Sequence, residues 1–244
     1  PDSLNMASSA AAAVTGRDAV ITMLPDGGTL RQVAADVIPV MAAGSALIDC
    51  STVDVDSARD VAAMAGEAGL LAVDAPVSGG VGGARSGSLT FMAGGPDAGF
   101  ALASPLFEIM GAKAVHCGGS GAGQAAKICN NMILGATMIV TCEAFALADG
   151  LGLDRQKMFD VVSTSSGYSW SMNSYCPAPG VGPESPSDNG YIPGFSADLM
   201  LKDLRLALQA AQSAGADTPL GAAAQELYET VSYTHLTLPT TGSV

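Results

Sequence analysis

Short apolar runs alternate with stretches of helical period through the first half of the chain. The apolar runs predict strands at residues 18–24, 46–50, 70–75, 88–93 and 113–117, and the stretches between them predict helices at 29–41, 55–68 and 97–110. Strands that are apolar along their whole length are buried on both faces, which is typical of a parallel sheet covered by helices. The sequence therefore predicts an α/β domain over residues 1–120.

Beyond residue 120 the pattern is helical only. Helices are predicted at about 123–150, 154–163 and 196–213, a last helix begins near Pro219, and a loop rich in Pro, Gly and Ser covers 165–194. We therefore expect an all-helical C-terminal domain over residues 121–230. The final segment, 231–244, is polar without helical period, and we interpret it as a non-native or disordered tail.

Composition narrows the choice of partners. The net charge is −13 with only ten Lys and Arg, which argues against a nucleic-acid partner. The most apolar run, residues 132–142, is about half of the roughly 20 residues that a spanning helix needs, so we expect a core helix and no membrane. Five cysteines without a CxxC spacing and only two histidines predict a reduced compartment and no metal site.

The segment GGSGAGQAAKICNN, residues 118–131, places a lysine inside an apolar helix. Asn130 and Asn131 follow Lys127 at i+3 and i+4, so the three polar side chains share one helical face. An unpaired buried ammonium is costly, and a low-dielectric site brings a lysine pKa toward neutrality for acid/base work. The alternative is an ordinary helix lysine that is paired or extends its charge to solvent.

The glycines before this lysine admit two interpretations. Residues 121–126 formally match the dinucleotide fingerprint G-x-G-x-x-A. That fingerprint belongs to a unit of roughly 30 residues that returns to a strand, whereas here a long helix follows. We therefore interpret the glycines as a tight turn that leaves N–H groups free at a helix start, where an anion such as a substrate carboxylate would bind.

Small or polar residues follow the predicted strands. They are Leu24-Pro25, Ser51-Thr52 and Ser78-Gly79-Gly80. Because ligands gather at the carboxyl ends of parallel strands, these residues are candidates for a binding crevice. The Ser-Gly-Gly sequence is equally typical of an ordinary turn. Lys202-Asp203 is either functional or a simple exposed pair.

Three motifs in chain order resemble the β-hydroxyacid dehydrogenase family. They are DAPVSGGVGGA from Asp74, GSLTFMAGG from Gly87 and GAGQAAKICNNM from Gly121. Within the family the likeness is greatest to the member that acts on 3-hydroxyisobutyrate, because of the loop from Ser165 and the segment from Gly194. The resemblance covers roughly residues 1–230 and implies a Rossmann-type NAD-binding domain followed by a helical substrate and dimerisation domain.

The resemblance implies a role for each candidate residue. Lys127 is implied as the catalytic acid/base, with Asn131 orienting the substrate and Asn130 supporting it. The remaining implied roles are substrate binding by Ser78, Gly79 and Gly80, and cofactor contact by Leu24, Pro25, Thr52, Lys202, Asp203 and, more weakly, Thr29.

The implied reaction is hydride transfer from a 3-hydroxy acid to NAD. The substrate would be 3-hydroxyisobutyrate and the product methylmalonate semialdehyde, a step of valine catabolism. The enzyme is expected to be a homodimer or homotetramer in the cytoplasm, or in the mitochondrial matrix of a eukaryote. The family's opening strand and G-x-G-x-M-G turn have no match here, so we expect a partial Rossmann domain without its first βαβ unit, with weak or absent NAD binding.

Three other functions stay open at this point. A tartronate semialdehyde or glyoxylate reductase is expected to have a shorter loop after Ser165. A non-catalytic dimerisation scaffold of the family is expected to lack the lysine at position 127. A decarboxylating sugar-phosphate dehydrogenase needs basic residues for the phosphate, and none occurs between Lys157 and Lys202.

Overall fold

Six strands and the helices around them form the first of two units in this computed structural model, which describes residues 5–192 and 194–236. The units comprise residues 1–127 and 128–244. The strands are β1 (Ala19–Thr22), β2 (Ala46–Asp49), β3 (Leu71–Asp74), β4 (Val77–Ser78), β5 (Leu89–Gly94) and β6 (Gly111–Gly118). The helices of this unit are α1 (Ala10–Val14), α2 (Gly27–Val37), α3 (Val55–Glu67), α4 (Gly80–Ser86) and α5 (Asp97–Met110), with a 3₁₀ turn at Ile38–Val40.

The sheet is parallel over its first three strands and mixed beyond them. Its order is β1-β2-β3-β5-β4, and β6 pairs with β5. The pairs β1–β2, β2–β3 and β5–β6 are parallel as expected, whereas β5 runs antiparallel to β3 and β4. The chain between β4 and β5 is only residues 79–88, shorter than the dozen or more residues of a parallel crossover. The segment after Ser78 is also not a simple loop, since it contains α4.

Two apolar clusters cover the two faces of the sheet. All four residues of β2 are buried. Leu47 packs with the buried side chains of α2 and α3, among them Leu30 and Val61. Ile48 belongs to the cluster on the other face, where Phe91 and Phe107 stack at 4.5 Å between ring centroids. Burial on both faces explains why the strands are continuous apolar runs.

The second unit is helical throughout its described residues. The helix α6 (Ala122–Gly150) runs into it from the first unit, followed by α7 (Arg155–Val162), α8 (Trp170–Asn173), α9 (Ala197–Ala214) and α10 (Pro219–Leu236), with a 3₁₀ turn at Pro186–Asn189. Its core includes Met200 and Leu204 of α9. A Cβ at Gly135 of α6 would lie 3.2 Å from both side chains, so a glycine there permits close helix packing.

Two details of this unit differ from the sequence prediction. The predicted loop 165–194 contains α8 and the 3₁₀ turn, which Ser169 and Ser185 cap with their side chains. The helix α10 includes residues 231–236, which the sequence assigned to the tail. Extending an existing helix costs far less than nucleating one, so a weakly periodic segment still continues it. Residues 237–244 of the predicted tail lie outside the described residues.

The helix α6 has an unusual outer surface. It has 29 residues and is long and apolar enough to cross a membrane by length and composition alone, a test that core helices of other proteins also pass. The prediction of no membrane partner considered only the shorter run 132–142, and it stays a prediction. Ile133, Val140 and Leu147 are spaced by seven residues and are 62%, 56% and 63% exposed; we call these three residues the α6 stripe.

Candidate active site

The start of α6 is held by a buried carboxylate. Asp74, the last residue of β3, is 6% exposed. Its Oδ1 accepts the backbone N–H of Gly121 at 2.7 Å, and its Oδ2 accepts that of Gln124 at 2.9 Å. The prediction that these N–H groups are free for a substrate anion is therefore wrong, because the protein supplies the anion itself. Burial raises the pKa of Asp74 to about 6 against the opposing effect of these hydrogen bonds.

Gln124 ties the same turn to the end of β2. Its side chain is fully buried. Nε2 donates to the Ser51 carbonyl at 2.8 Å, and Oε1 accepts the Val53 N–H at 3.1 Å. The first turn of α6 is thus fixed to two neighbouring strands of the sheet. The helix has 29 residues in all and leads into further helices rather than returning to a strand, which agrees with rejecting a dinucleotide fingerprint here.

Lys127 lies three residues beyond this anchored turn. It is only 8% exposed and is the last residue of the first unit. Three residues advance a helix by about 4.5 Å, so the lysine lies close to the anchored turn. A buried lysine on a fixed helix start has the setting that the sequence predicted for it. Its role as acid/base stays a prediction.

The end of β2 carries a second buried carboxylate. Asp49 is 4% exposed, and its Oδ1 accepts the Thr22 hydroxyl at 2.8 Å and the Ser51 hydroxyl at 2.6 Å. The Ser51 hydroxyl oxygen in turn accepts the Leu24 N–H at 2.7 Å. Asp49 Oδ2 has no hydrogen-bond partner among the described residues. Burial raises the pKa of Asp49, while the hydroxyl hydrogen bonds oppose that rise.

This network positions the predicted cofactor residues at the ends of β1 and β2. Leu24 is bound through its N–H, Pro25 is exposed, and Thr52 is half-buried just past Ser51. Thr29 lies elsewhere, inside α2, where its N–H and hydroxyl both donate to the cap residue Asp26. The fixed backbone and uncharged side chains at the two strand ends leave room for a bound dinucleotide at the carboxyl ends of parallel strands, and cofactor contact by these residues stays a prediction. Thr29 is better explained as part of the α2 cap.

The predicted substrate residues Ser78, Gly79 and Gly80 join β4 to α4. Ser78 is half-buried and pairs with Thr90 of β5, while the two glycines are exposed. Gly79 and Gly80 have φ angles of 128° and 59°, which side chains rarely adopt. The Ser-Gly-Gly sequence therefore forms a left-handed turn whose backbone is uncovered.

The second unit brings four predicted residues into one polar chain. Asn131 is 2% exposed, and its Nδ2 donates to Asp203 Oδ2 at 2.5 Å. Asn130 is exposed and donates to Asn131 Oδ1 at 2.9 Å. Lys202 Nζ lies 3.8 Å from Asp203 Oδ1. Asp203 is itself 2% exposed, so the interpretation of Lys202-Asp203 as an exposed surface pair is wrong.

Two residues of the site region were missed by the sequence interpretation. Asp74 appeared only as part of a motif, and Gln124 was given no role; Ser51 was named as a crevice candidate, but its place in the hydrogen-bond network was not predicted. The available signal was the polar side chain itself at the end of a buried strand or the start of a buried helix, because such a group needs hydrogen-bond partners. Among the described residues no cluster of three or more His, Cys, Asp or Glu side chains is arranged to hold a metal.

Sequence comparison matches both halves of the chain to dehydrogenase families. Residues 2–119 match the family described as the NAD binding domain of 6-phosphogluconate dehydrogenase. Residues 121–237 match the family described as NAD-binding of NADP-dependent 3-hydroxyisobutyrate dehydrogenase. The two matches meet near the start of α6.

Two curated relatives and one solved structure show the same likeness. A 3-hydroxyisobutyrate dehydrogenase of Pseudomonas aeruginosa is 50% identical over 225 residues, which cover 91% of this chain and 76% of the relative. An NAD-dependent L-serine dehydrogenase of the same organism is 44% identical over the same shares. A Mycobacterium tuberculosis 3-hydroxyisobutyrate dehydrogenase, described with L-serine, superposes with a TM-score of 0.90 at 46% identity over 93% of this chain and 78% of that chain.

Proposed function

Because the chain belongs to the 3-hydroxyisobutyrate dehydrogenase family, whose members are NAD-dependent oxidoreductases, we propose that it oxidises 3-hydroxyisobutyrate to methylmalonate semialdehyde. This is a step of valine catabolism. The observation that carries the proposal is the buried Lys127 on the anchored start of α6, in a family whose motifs the chain matches. Bound NAD supplies the hydride acceptor for the C3 hydrogen of the alcohol.

Lys127 is proposed as the general base of the oxidation. Its neutral amine accepts the proton of the C3 hydroxyl, and the resulting ammonium stabilises the negative charge that develops on that oxygen. Burial at 8% exposure supports this role, because desolvation favours the neutral form of a lysine. In the reverse direction the same ammonium returns the proton to the aldehyde oxygen.

The other candidate residues are proposed to bind and orient. Ser78 and the uncovered backbone at Gly79 and Gly80 suit a substrate carboxylate, which accepts hydrogen bonds from hydroxyl and N–H groups. Asn131 is proposed to orient the substrate with support from Asn130, and its bond to Asp203 fixes the amide.

Cofactor contact is proposed for Leu24, Pro25 and Thr52 at the strand ends. Lys202 and Asp203 are proposed to contact the cofactor on the nicotinamide side, with Asp203 holding the Lys202 ammonium. Thr29 has the weakest support of the proposed contacts, because its polar atoms bind Asp26.

L-serine is a second candidate substrate. It shares the C3 hydroxyl and the carboxylate with 3-hydroxyisobutyrate and differs by an amino group in place of a methyl group at C2. The 44% identical L-serine dehydrogenase and the solved relative described with L-serine favour testing it. The substrate with the higher kcat/KM in NAD reduction decides between them, and a higher value for L-serine would replace the proposed substrate.

Lys127→Ala tests the proposed base. We expect kcat with 3-hydroxyisobutyrate to fall by about 10²- to 10⁴-fold, the usual contribution of general acid/base catalysis. Lys157→Ala is the matched control, because Lys157 is an exposed lysine on α7. A Lys127→Ala enzyme that keeps more than a few percent of the wild-type rate would remove Lys127 from the mechanism.

We further propose a homodimer or homotetramer that covers the α6 stripe. Apolar side chains that repeat every seven residues on one helix match the seam of a helix pair. Val140→Glu is expected to lower the mass measured by sedimentation, whereas Val161→Glu, on an exposed valine of α7, is expected to leave it unchanged. The enzyme is proposed to act in the cytoplasm, or in the mitochondrial matrix of a eukaryote. Its two domains are proposed to comprise residues 1–120 and 121–230.

A further inference from the structure

The carboxylate of Asp74 contacts the backbone of the helix that carries the proposed base. Both of its oxygens are used, at 2.7 Å to the Gly121 N–H and 2.9 Å to the Gln124 N–H. The two donors are three residues apart, one just before α6 and one in its first turn. Two hydrogen bonds from one rigid planar carboxylate to two points at the helix start fix both the position of the helix along its axis and its tilt.

Two glycines allow this close fit. A Cβ at Gly94 would lie 2.6 Å from Asp74 Oδ1 and 2.8 Å from the Ala122 backbone nitrogen. A Cβ at Gly123 would lie 2.5 Å from the Asp74 carbonyl oxygen and 2.8 Å from its Oδ2. Any side chain at either position would push the helix start away from the carboxylate.

Gln124 limits rotation about the helix axis. Its buried side chain donates to the Ser51 carbonyl and accepts the Val53 N–H, just past the end of β2, the strand beside Asp74's own. A helix held by Asp74 at its backbone and by Gln124 at a side chain cannot turn without breaking one of the two anchors. Lys127, three residues on, inherits that orientation.

A buried charge is a poor choice if stability is the only requirement. Replacing buried ionic groups by apolar ones of similar size is often neutral or stabilising. An ionised carboxylate at a helix N-terminus does match the helix dipole. It also accepts hydrogen bonds from two N–H groups whose directions the backbone fixes, whereas hydroxyl donors rotate. Asp74 therefore contributes geometry as well as binding energy.

We propose that Asp74 is a positioning residue of the reaction, which fixes the first turn of α6 so that Lys127 Nζ lies at the height and rotation that proton transfer from the substrate hydroxyl requires. The inference rests on the proposed function of Lys127. Asp74 itself touches neither substrate nor cofactor in this proposal. Small displacements of a catalytic group are costly, since a misplacement of about 1 Å lowers rates by roughly 10²-fold.

The test compares Asp74→Asn with Asp49→Asn. Both residues end neighbouring strands, are paired in register and are similarly buried, but of the two only Asp74 accepts hydrogen bonds from the start of α6. The isosteric amide offers one acceptor where two N–H donors point, so the amides of Gly121 and Gln124 are expected to exchange with solvent at least about tenfold faster in Asp74→Asn than in wild type. In Asp49→Asn their exchange is expected to stay at the wild-type rate.

Kinetics separate positioning from simple stabilisation. Asp74→Asn is expected to lower kcat by about tenfold or more while the KM for NAD stays within about twofold, because the lost interaction acts only on the transition state. Asp74→Glu keeps both acceptors and is one methylene longer. In this variant the two amides are expected to stay protected from exchange and kcat is still expected to fall. If Asp74→Asn does not fold, Asp74→Glu tests the proposal in its place.

Each outcome decides one claim. A wild-type kcat in either Asp74 variant would overturn the positioning role while leaving the proposed function intact. Equally fast exchange at Gly121 and Gln124 in Asp49→Asn would also overturn it, because the effect would then be general loosening. A wild-type protein without NAD-dependent turnover of either hydroxy acid would overturn the proposed function, and the role in the reaction with it.

Discussion

The ends of β2 and β3 carry the same residue type with different partners. Asp49 and Asp74 are register partners on neighbouring parallel strands and are 4% and 6% exposed. Asp49 binds two hydroxyl groups and, at 3.3 Å, the Ser51 N–H through one oxygen, and its other oxygen has no partner among the described residues. Asp74 binds two backbone N–H groups of another element, one through each oxygen.

The two carboxylates differ in which parts of the structure their hydrogen bonds fix in position. The two shorter bonds of Asp49 come from hydroxyl groups, which rotate about their bonds, and its one backbone donor, the Ser51 N–H, belongs to the same strand end, so the Asp49 network orders only the strand ends nearby. Backbone N–H groups in a helix turn have fixed directions, so Asp74 holds a whole helix. Burial raises the pKa of both carboxyls, because it disfavours the charged form.

Removing each side chain entirely gives the largest expected difference. Asp74→Ala leaves two buried N–H groups without their acceptor and is expected to lower the free energy of unfolding by about 3–5 kcal/mol. Asp49→Ala leaves two hydroxyls that can turn to other acceptors, and about 1–2 kcal/mol is expected. Urea unfolding of both variants at one pH measures the two values. Equal losses would break the distinction between the two strand ends.

The pH dependence of stability sharpens the same comparison. The folded pKa of Asp74, about 6, lies above the ordinary value of 3.8, so the folded protein binds this proton more tightly than the unfolded chain. The stability from that proton is fully present below about pH 3.8 and is lost as pH rises through about 6.

The loss amounts to roughly 3 kcal/mol at most for a shift of about two units. Asp74→Asn removes the titrating group, so wild type should lose stability relative to this variant as the pH rises from about 4 to about 7. Unfolding curves of the two proteins across that range give the difference directly. If the difference in unfolding free energy between the two proteins did not change with pH, the Asp74 carboxyl would have the same pKa in the folded and unfolded protein.

The glycine that lets α6 approach Asp74 gives a smaller expected effect. Gly123→Ala places a methyl group against the carbonyl oxygens of Met92 and Asp74 and against the Asp74 carboxylate, and a loss of about 2 kcal/mol in unfolding free energy is expected. Gly119→Ala is the control four residues earlier, because a Cβ there would meet no atom within 4 Å. Thermal unfolding of the pair measures the contrast, and similar midpoints would show that the helix start tolerates displacement.

Much of the fold follows from local patterns. The helices α3, α5 and α6 begin and end within about two residues of their predicted bounds, because apolar period and turn residues mark their ends. The direction of β5 does not follow, since a buried strand has the same sequence whichever way its neighbour runs. The short helices α4 and α8 are missed because glycine and serine are weak helix formers.

Some residues of the candidate site could likewise be predicted from the sequence, and others could not. Lys127 and the asparagines are conspicuous in sequence because polar residues are rare along α6. The bond between Asn131 and Asp203 joins residues 72 positions apart, which no local pattern encodes. Asp74 is hidden for another reason, since its partners are backbone N–H groups that carry no residue identity. Anchors of this kind become visible only when the chain is folded.

The distribution of thiols along the chain makes α6 open to selective chemical labelling. Burial raises the pKa of Cys117, Cys142 and Cys176, and that of Cys50 to about 12, so little of each is thiolate at neutral pH. Cys129 and Cys142 are both exposed on α6; Cys129 lies four residues before the α6 stripe begins, and Cys142 lies two residues after Val140 of the stripe. Maleimide labelling of these two thiols reports whether the stripe is covered, and it needs no engineered cysteine.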